Sequence, residues 1–439
     1  MNELKTAYLE TFGCTANQNN SEIMAGILAG AGFILTKNPE LADIIIINTC
    51  IVKSKTESKI KRRIQDLKKE TKNKLMIIAG CMPQTDFKKL KKLSNNSIFL
   101  GTNHTKDIVN LIKDFQEKRL DEKRQISYIS EDRETKLLVP KLPQNSLISI
   151  HQISEGCLGD CSFCRARLAK GKLYSYPEGR ILESIESDLV NGAKELWLTS
   201  QDNASYGFDR GKLELADLLK KILELKHKFK LRLGMSNPNN VLPIINELLE
   251  VYKDKKIFKF LHIPIQSASN KVLKDMNRFY TIKQAEEIIN KFKERFPQGV
   301  IATDIIVGYP TETQEDHELN LKFIKKYRPD VLNISKFSSH KQTPAGKLKP
   351  LSSGIIKKRT SELMEVHRET AKSNKLQYLG KIISVFIDKK VGENLHQARD
   401  ENYNIIFLKC SKENLGKEVN VKITQIGVHN MVGEIIENT

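Results

Sequence analysis

Residues 42–50 read ADIIIINTC, an apolar run without polar alternation that ends on a cysteine. A strand of that kind must be covered on both faces, which is the condition of a parallel sheet flanked by helices. The neighbouring segments fit that frame. LKTAYLETF predicts a strand, SEIMAGILAGAGF a helix, residues near 54–70 a basic helix and KLMIIAG another strand. Residues 1–115 therefore predict an open α/β domain with short connections.

Three cysteines fall into register with this pattern. Cys14, Cys50 and Cys81 each stand at, or just after, the carboxyl end of a predicted strand. Ligands gather at that edge of an open α/β sheet. A single free cysteine is often only a small buried hydrophobe. Three at one topological position point instead to a shared ligand role.

Residues 116–145 are charged, hold two prolines and show little helical periodicity, and so predict a linker. From 146 to 375 the strand-helix alternation resumes and repeats about six times, through SLISIHQIS, KELWLTS, LRLGMS, FKFLHIPIQ, GVIATDIIVG and VLNISKF. Six such units are too few for a closed eight-fold barrel, so a partial (βα)6 barrel is expected. Polar residues mark its strand ends: Gln201, Asp202, Asn237, Gln266, Ser267 and Glu312. The carboxyl face of such barrels carries the chemistry. After a helical segment around 352–375, residues 376–439 change to short strands between turns. They predict a small antiparallel β-barrel of the size that oligonucleotide-binding barrels occupy.

Charge narrows the partner. Lysine and arginine number 72 against 53 acids, a formal excess of +19 that favours an anionic partner such as nucleic acid. Residues 53–74 and 331–375 each carry ten basic and three acidic side chains, as solvated helix faces or as parts of a nucleic-acid surface. The small barrel itself is only modestly charged. The amino terminus lacks the apolar region of a signal peptide, and no apolar stretch approaches the roughly 20 residues of a spanning helix. A cytoplasmic protein without membrane association is expected. In a reducing compartment its seven cysteines favour metal or catalytic use over disulfides.

The remaining signal is GCLGDCSFC at 156–164, which carries Cys157, Cys161 and Cys164 directly after the first barrel strand. Structural zinc takes four protein ligands. The loop offers three thiols, and His151, six residues upstream inside the strand, fits a core position better than a ligand role. Three thiolates on a cubane iron-sulfur cluster leave the fourth iron open for a cofactor. The seventh cysteine, Cys410, falls in a predicted barrel strand and is expected to be structural.

This Cys-x3-Cys-x2-Cys spacing, with Phe163 before the last cysteine and a partial barrel behind it, resembles the radical S-adenosylmethionine superfamily. The whole chain resembles its methylthiotransferases: an α/β domain with three cysteines, a radical domain and a small barrel similar to the tRNA-binding TRAM domain. TFGCTANQNNSEIMAG, EGCLGDCSFCRARLAKG, LTSQDNASYG, LGMSNP, LHIPIQSAS and ATDIIVGYPTET look most like the archaeal and eukaryotic branch. That branch acts on N6-threonylcarbamoyladenosine next to the tRNA anticodon and adds a 2-methylthio group. Two features bear on the match. Leu158 stands where the isopentenyladenosine branch usually has asparagine, and Lys170-Gly171 replaces the family's common Arg-Gly.

The resemblance implies two [4Fe-4S] clusters, an auxiliary one on Cys14, Cys50 and Cys81 and a radical one on Cys157, Cys161 and Cys164. It implies S-adenosyl-L-methionine as both methyl donor and radical source, with Phe163, Gln201, Asp202, Gln266 and Asp304 as candidate cofactor-binding residues. Its implied partners are the tRNA anticodon stem-loop, an electron donor such as a flavodoxin or ferredoxin, and a sulfur source, for a monomeric enzyme. Two other readings stay open. One is the same chemistry on isopentenyladenosine or on a ribosomal-protein aspartate; the other is a non-catalytic tRNA-binding iron-sulfur protein.

Overall fold

The computed structural model describes residues 5–52, 54–71, 74–133, 135–411 and 414–436. The chain begins with β1 (Thr6–Thr11), α1 (Thr15–Gly30), β2 (Ile34–Thr36), β3 (Ile44–Thr49), α2 (Ser54–Glu70), β4 (Leu75–Gly80), α3 (Cys81–Leu93), β5 (Ile98–Gly101), α4 (Ile108–Gln116) and α5 (Glu122–Ser127). Its five strands form one parallel sheet in the order β2-β1-β3-β4-β5. All residues of β3 and β4 are buried, as their unbroken apolar runs require. Ile45 and Ile47 pack with Ile60, Ile64 and Leu67 of α2. Ile44 and Ile46 point to the opposite face, toward Met24 and Leu28 of α1 and Leu111 and Ile112 of α4. Each such buried side chain contributes roughly 1.5–3 kcal/mol.

The segment expected as a linker contains α5 and is tied to the sheet edge. The Gln125 side chain accepts from Phe99 N at 3.0 Å and donates to Phe99 O at 2.6 Å. Its amide thus supplies the pairing that edge strand β5 would otherwise lack. Short local spacing hides such a role from the sequence.

Next come β6 (Ile148–Gln152), β7 (Ser154–Glu155), α6 (Ala166–Lys170), β8 (Tyr174–Ser175), α7 (Glu178–Val190), β9 (Glu195–Thr199), α8 (Leu215–Leu223), β10 (Lys230–Leu233), α9 (Pro238–Val241) and α10 (Ile245–Val251). They are followed by β11 (Phe260–His262), α11 (Asn270–Asp275), α12 (Ile282–Arg295), β12 (Val300–Val307), α13 (Gln314–Tyr327), β13 (Val331–Lys336) and α14 (Ser353–Lys375). The six barrel strands form two three-stranded sheets, β10-β9-β6 and β11-β12-β13, bridged by Leu231 and Ile257. This is the expected partial barrel, divided where β10 and β11 are too short to pair along their length.

The last strands, β14 (Ile382–Lys390), β15 (Leu395–Arg399), β16 (Ile405–Lys409), β17 (Glu418–Ile426) and β18 (Met431–Ile435), close a barrel in the order β14-β15-β16-β18-β17. Its pairings are antiparallel except for the parallel β16–β18 contact. β15 is a strand the sequence did not announce. Its inward residues are His396 and Ala398, so the alternation is not written in large apolar side chains. By packing, residues 1–144, 150–158 and 164–184 form one compact unit, and residues 145–149, 159–163 and 185–439 another. No described helix is long and apolar enough to cross a membrane.

Candidate functional site

Cys14, Cys50 and Cys81 follow β1, β3 and β4, three neighbours in the first sheet. The register pairs Thr49 with Gly80, so Cys50 and Cys81 leave their strands at one level. Cys14 is exposed and occupies the N-cap of α1. Cys50 and Cys81 are buried.

Asparagines brace this edge. Asn17 Nδ2 donates to Phe12 O and Thr49 O at 2.8 Å each, joining the ends of β1 and β3. Asn48 Nδ2 donates to Asn17 O and Ser21 Oγ, also at 2.8 Å. Cys81 Sγ lies 3.7 Å from Asn17 Oδ1. Gly13 has φ +119°, and a Cβ there would stand 2.7 Å from Cys50 Cβ, so the approach needs glycine.

Burial pushes the Cys81 thiol up to about 12; Cys50 and Cys14 add to the rise, while Lys170 and Lys136 oppose it. A metal displaces that proton, because thiolates are the ligand form. Among the described residues no three His, Cys, Asp or Glu side chains converge closely enough for a single metal ion. A cubane places each thiolate on a different iron and asks for wider spacing. Three cysteines on adjacent strand ends suit it as a donor set, with one iron left open.

The second triad sits in the loop after β7, and all three of its cysteines are half-buried. Cys157 N donates to Gly171 O at 3.2 Å. Gly156 before it has φ +78°, and a Cβ there would fall 1.9 Å from Lys172 O. Arg278 Nη1 donates to Cys161 Sγ at 3.3 Å, and its Nη2 donates to Asn237 Oδ1 at 3.0 Å and to Pro264 O at 3.2 Å. Ser162 N donates to Met276 O at 3.0 Å, and Phe163 packs on Val272, Met276, Ile306, Tyr309 and Ala345. Three thiols in so short a loop again suit the donor set of such a cluster.

The expected cofactor-binding residues occupy different settings. Gln201 is half-buried at the end of β9. Asp202 is buried and its carboxylate is occupied: it accepts from Asn237 N at 2.9 Å, Ala204 N at 3.2 Å and Asn240 Nδ2 at 2.6 Å. Burial raises its pKa. Its direct task is to hold the loop that presents Asn237. Gln266 is half-buried with φ +62°, its backbone N donating to Asp304 O at 2.8 Å. Asp304 Oδ2 lies 2.6 Å from His262 Nε2, a polar pair across the neighbouring strands β11 and β12. Glu312 accepts from Gly308 N at 3.1 Å and from Arg359 Nη1 at 2.5 Å, which anchors α14.

Arg278 and His262 were missed by sequence reading. Arg278 carries no motif; only its contacts connect it to the cysteine loop. His262 and Asp304 lie inside the predicted strands FKFLHIPIQ and GVIATDIIVG, and nothing in the residue order marks His262 as the partner of Asp304. His151 is buried with Ser184 Oγ 3.5 Å from its Nδ1, a core position, and Cys410 packs against the small barrel's core. Along α2, Lys55, Lys59, Arg62 and Lys69 are exposed. On α14, Lys357, Lys358, Arg368 and Lys372 are exposed, but Arg359 and Lys375 are buried.

Residues 6–101 match the family described as "Uncharacterized protein family UPF0004", and residues 152–324 match the radical SAM superfamily. The radical S-adenosylmethionine methyltransferase TsrM from Kitasatospora setae has a similar fold, with a TM-score of 0.57 at 13% identity over 78% of this chain and 77% of that one. The cobalamin-dependent S-adenosylmethionine radical enzyme OxsB gives a TM-score of 0.52 at 13% identity, over 84% of this chain and 56% of the other. Fold and cysteine loop together define a radical S-adenosylmethionine protein.

Relatives narrow the class. The chain is 36% identical to a "Probable threonylcarbamoyladenosine tRNA methylthiotransferase" of Archaeoglobus fulgidus, over 97% of this chain and 98% of that one. It is 33% identical to the threonylcarbamoyladenosine tRNA methylthiotransferase of Xenopus laevis, over 98% of this chain and 77% of that one. The chain belongs to the threonylcarbamoyladenosine tRNA methylthiotransferase family.

Proposed function

We propose that the protein converts N6-threonylcarbamoyladenosine, next to the anticodon of tRNA, to its 2-methylthio derivative. The observation that carries this reading is coverage. Relatives named for that activity match almost the whole length of the chain. In this reading Cys14, Cys50 and Cys81 hold an auxiliary [4Fe-4S] cluster, and Cys157, Cys161 and Cys164 hold the radical one. With S-adenosylmethionine bound, these groups supply the radical chemistry that replacing hydrogen on an unactivated aromatic carbon demands.

The chain's own residues hold and orient. Arg278 fixes Cys161 by its hydrogen bond and, through Asn237, ties the cysteine loop to a strand end. Gln201, Gln266 and Asp304 offer polar groups for the cofactor, Phe163 supports the loop from its apolar side, and Asp202 acts by positioning Asn237. The small barrel binds the anticodon stem-loop, and the exposed lysines of α2 and of α14 each add to the weakening of binding by salt. An electron donor such as a flavodoxin or ferredoxin and a sulfur source complete the reaction.

The test is mass spectrometry of tRNA nucleosides from cells with and without the gene. The 2-methylthio derivative of threonylcarbamoyladenosine should appear only with the gene. Methylthiolation of isopentenyladenosine or of a ribosomal-protein aspartate in its place, or no change, overturns the proposal.

A further inference from the structure

A buried charge cluster lies beside the first triad. Lys136 Nζ and Lys170 Nζ both donate to Glu155 Oε1, at 2.6 and 2.7 Å. The Tyr176 hydroxyl donates to Glu155 Oε2 at 3.0 Å, and Lys136 Nζ also donates to Thr102 O at 2.6 Å. The side chains of Lys136, Lys170 and Glu155 are 1%, 3% and 0% exposed, so none of the charges is relieved by water. Two cations and one anion leave a positive excess. A buried excess charge costs several kcal/mol unless an opposite charge is close. Among the described residues, the hydrogen bonds of these two ammonium groups reach no second carboxylate.

The neighbourhood shows where the balancing charge belongs. α6, which ends at Lys170, packs on α3, which begins at Cys81. Ala169 shares one apolar cluster with Cys50 and Cys81. Lys136 joins Lys170 on the same Glu155 oxygen, which places both ammonium groups at the end of α6. The two lysines thus sit next to the residue that packs on Cys50 and Cys81, at the helix end beside the triad.

We propose that Lys170 and Lys136 are positioning residues for the auxiliary cluster, whose negative charge their positive excess balances and whose reduction they make easier. The proposal rests on the reading that Cys14, Cys50 and Cys81 hold a [4Fe-4S] cluster. Three thiolates give such a cluster a net negative charge, and one-electron reduction of an iron adds another. A nearby cation stabilises the reduced form more than the oxidised one.

The test isolates the auxiliary cluster. With Cys157, Cys161 and Cys164 all changed to alanine, the reconstituted protein should bind about four irons. Its midpoint potential is then followed by electron paramagnetic resonance during dithionite titration, with Lys170→Met, Lys136→Met and Lys170→Arg added singly. Each methionine variant should shift the oxidised-to-reduced ratio about tenfold toward oxidised, which for one electron is ~59 mV. Lys170→Arg should leave the potential in place. If the methionine variants lose iron while Lys170→Arg keeps it, the charge is needed to hold the cluster, which also supports the proposal. Normal iron with unshifted potentials in both methionine variants overturns it, as does iron loss in all three. A parent variant without iron instead removes the auxiliary-cluster reading itself, and the two failures are told apart by iron content alone.

Discussion

Cys14, Cys50 and Cys81 lie more than thirty residues apart and meet because β1, β3 and β4 are neighbours, whereas Cys157, Cys161 and Cys164 share nine residues of one loop. The first set inherits its geometry from a sheet core filled by isoleucines, with Asn17 and Asn48 stitching the strand ends. The second depends on local devices: a left-handed turn at Gly156, a backbone bond to Gly171 and one guanidinium on Cys161. A ligand set made by topology should survive changes in single loops. One made by a loop should fail when any of its few anchors is lost.

Gly156→Ala should give the largest effect. Its Cβ meets backbone that has no freedom to retreat, and the positive φ adds about 1–3 kcal/mol of strain. Cleavage of S-adenosylmethionine should be lost while about half the iron remains, measured as 5′-deoxyadenosine and iron per chain. Gly13→Ala presses on the Cys50 side chain instead. It should reduce auxiliary iron and leave cleavage largely intact; equal damage to both functions in either variant would erase the contrast between the triads. Arg278→Gln removes a hydrogen bond to a ligand without removing the ligand. Loss of such outer contacts typically costs 10–100-fold, so cleavage should slow by about tenfold at unchanged auxiliary iron.

Buried carboxylates sharpen the comparison through pH. Burial lifts Glu195 to about 7 and Asp400 to about 6, both in the second packing unit. An acid raised in this way stabilises the fold fully below its unfolded value of 4.5 or 3.8, and that contribution is lost as pH rises through 6 to 7. Glu155, in the first unit, has the opposite sign. Burial disfavours its charge, but Lys136 and Lys170 outweigh burial and bring it to about 2. Its contribution is present above 4.5 and is lost only as pH falls toward 2. Glu195→Gln should therefore flatten the loss of thermal stability between about pH 5 and pH 8, by about 3 kcal/mol. An unchanged pH profile would show that Glu195 keeps an ordinary pKa.

Much of this architecture was legible from residue order. Unbroken apolar runs predict β3 and β4, the basic stretch near 54–70 predicts α2, and both cysteine triads stand out in the residue order. What stayed hidden has a common physical character. β15 hides because small and polar residues face inward, and α5 hides because its main service is a side-chain amide completing an edge strand. Arg278 and the Lys136–Glu155–Lys170 cluster consist of pairs closed by the fold, with no periodic or motif signal along the chain. Asp202 was visible as a polar strand end, but only its three donors reveal that it works on protein groups.

Two independent cluster sites in one chain would give a definite iron count. Anaerobically reconstituted wild type should hold about eight irons, and each triple alanine variant about four. The variant lacking Cys14, Cys50 and Cys81 should still form some 5′-deoxyadenosine, while the one lacking Cys157, Cys161 and Cys164 should form none. Full iron content in the variant without Cys14, Cys50 and Cys81 would contradict a second, auxiliary cluster.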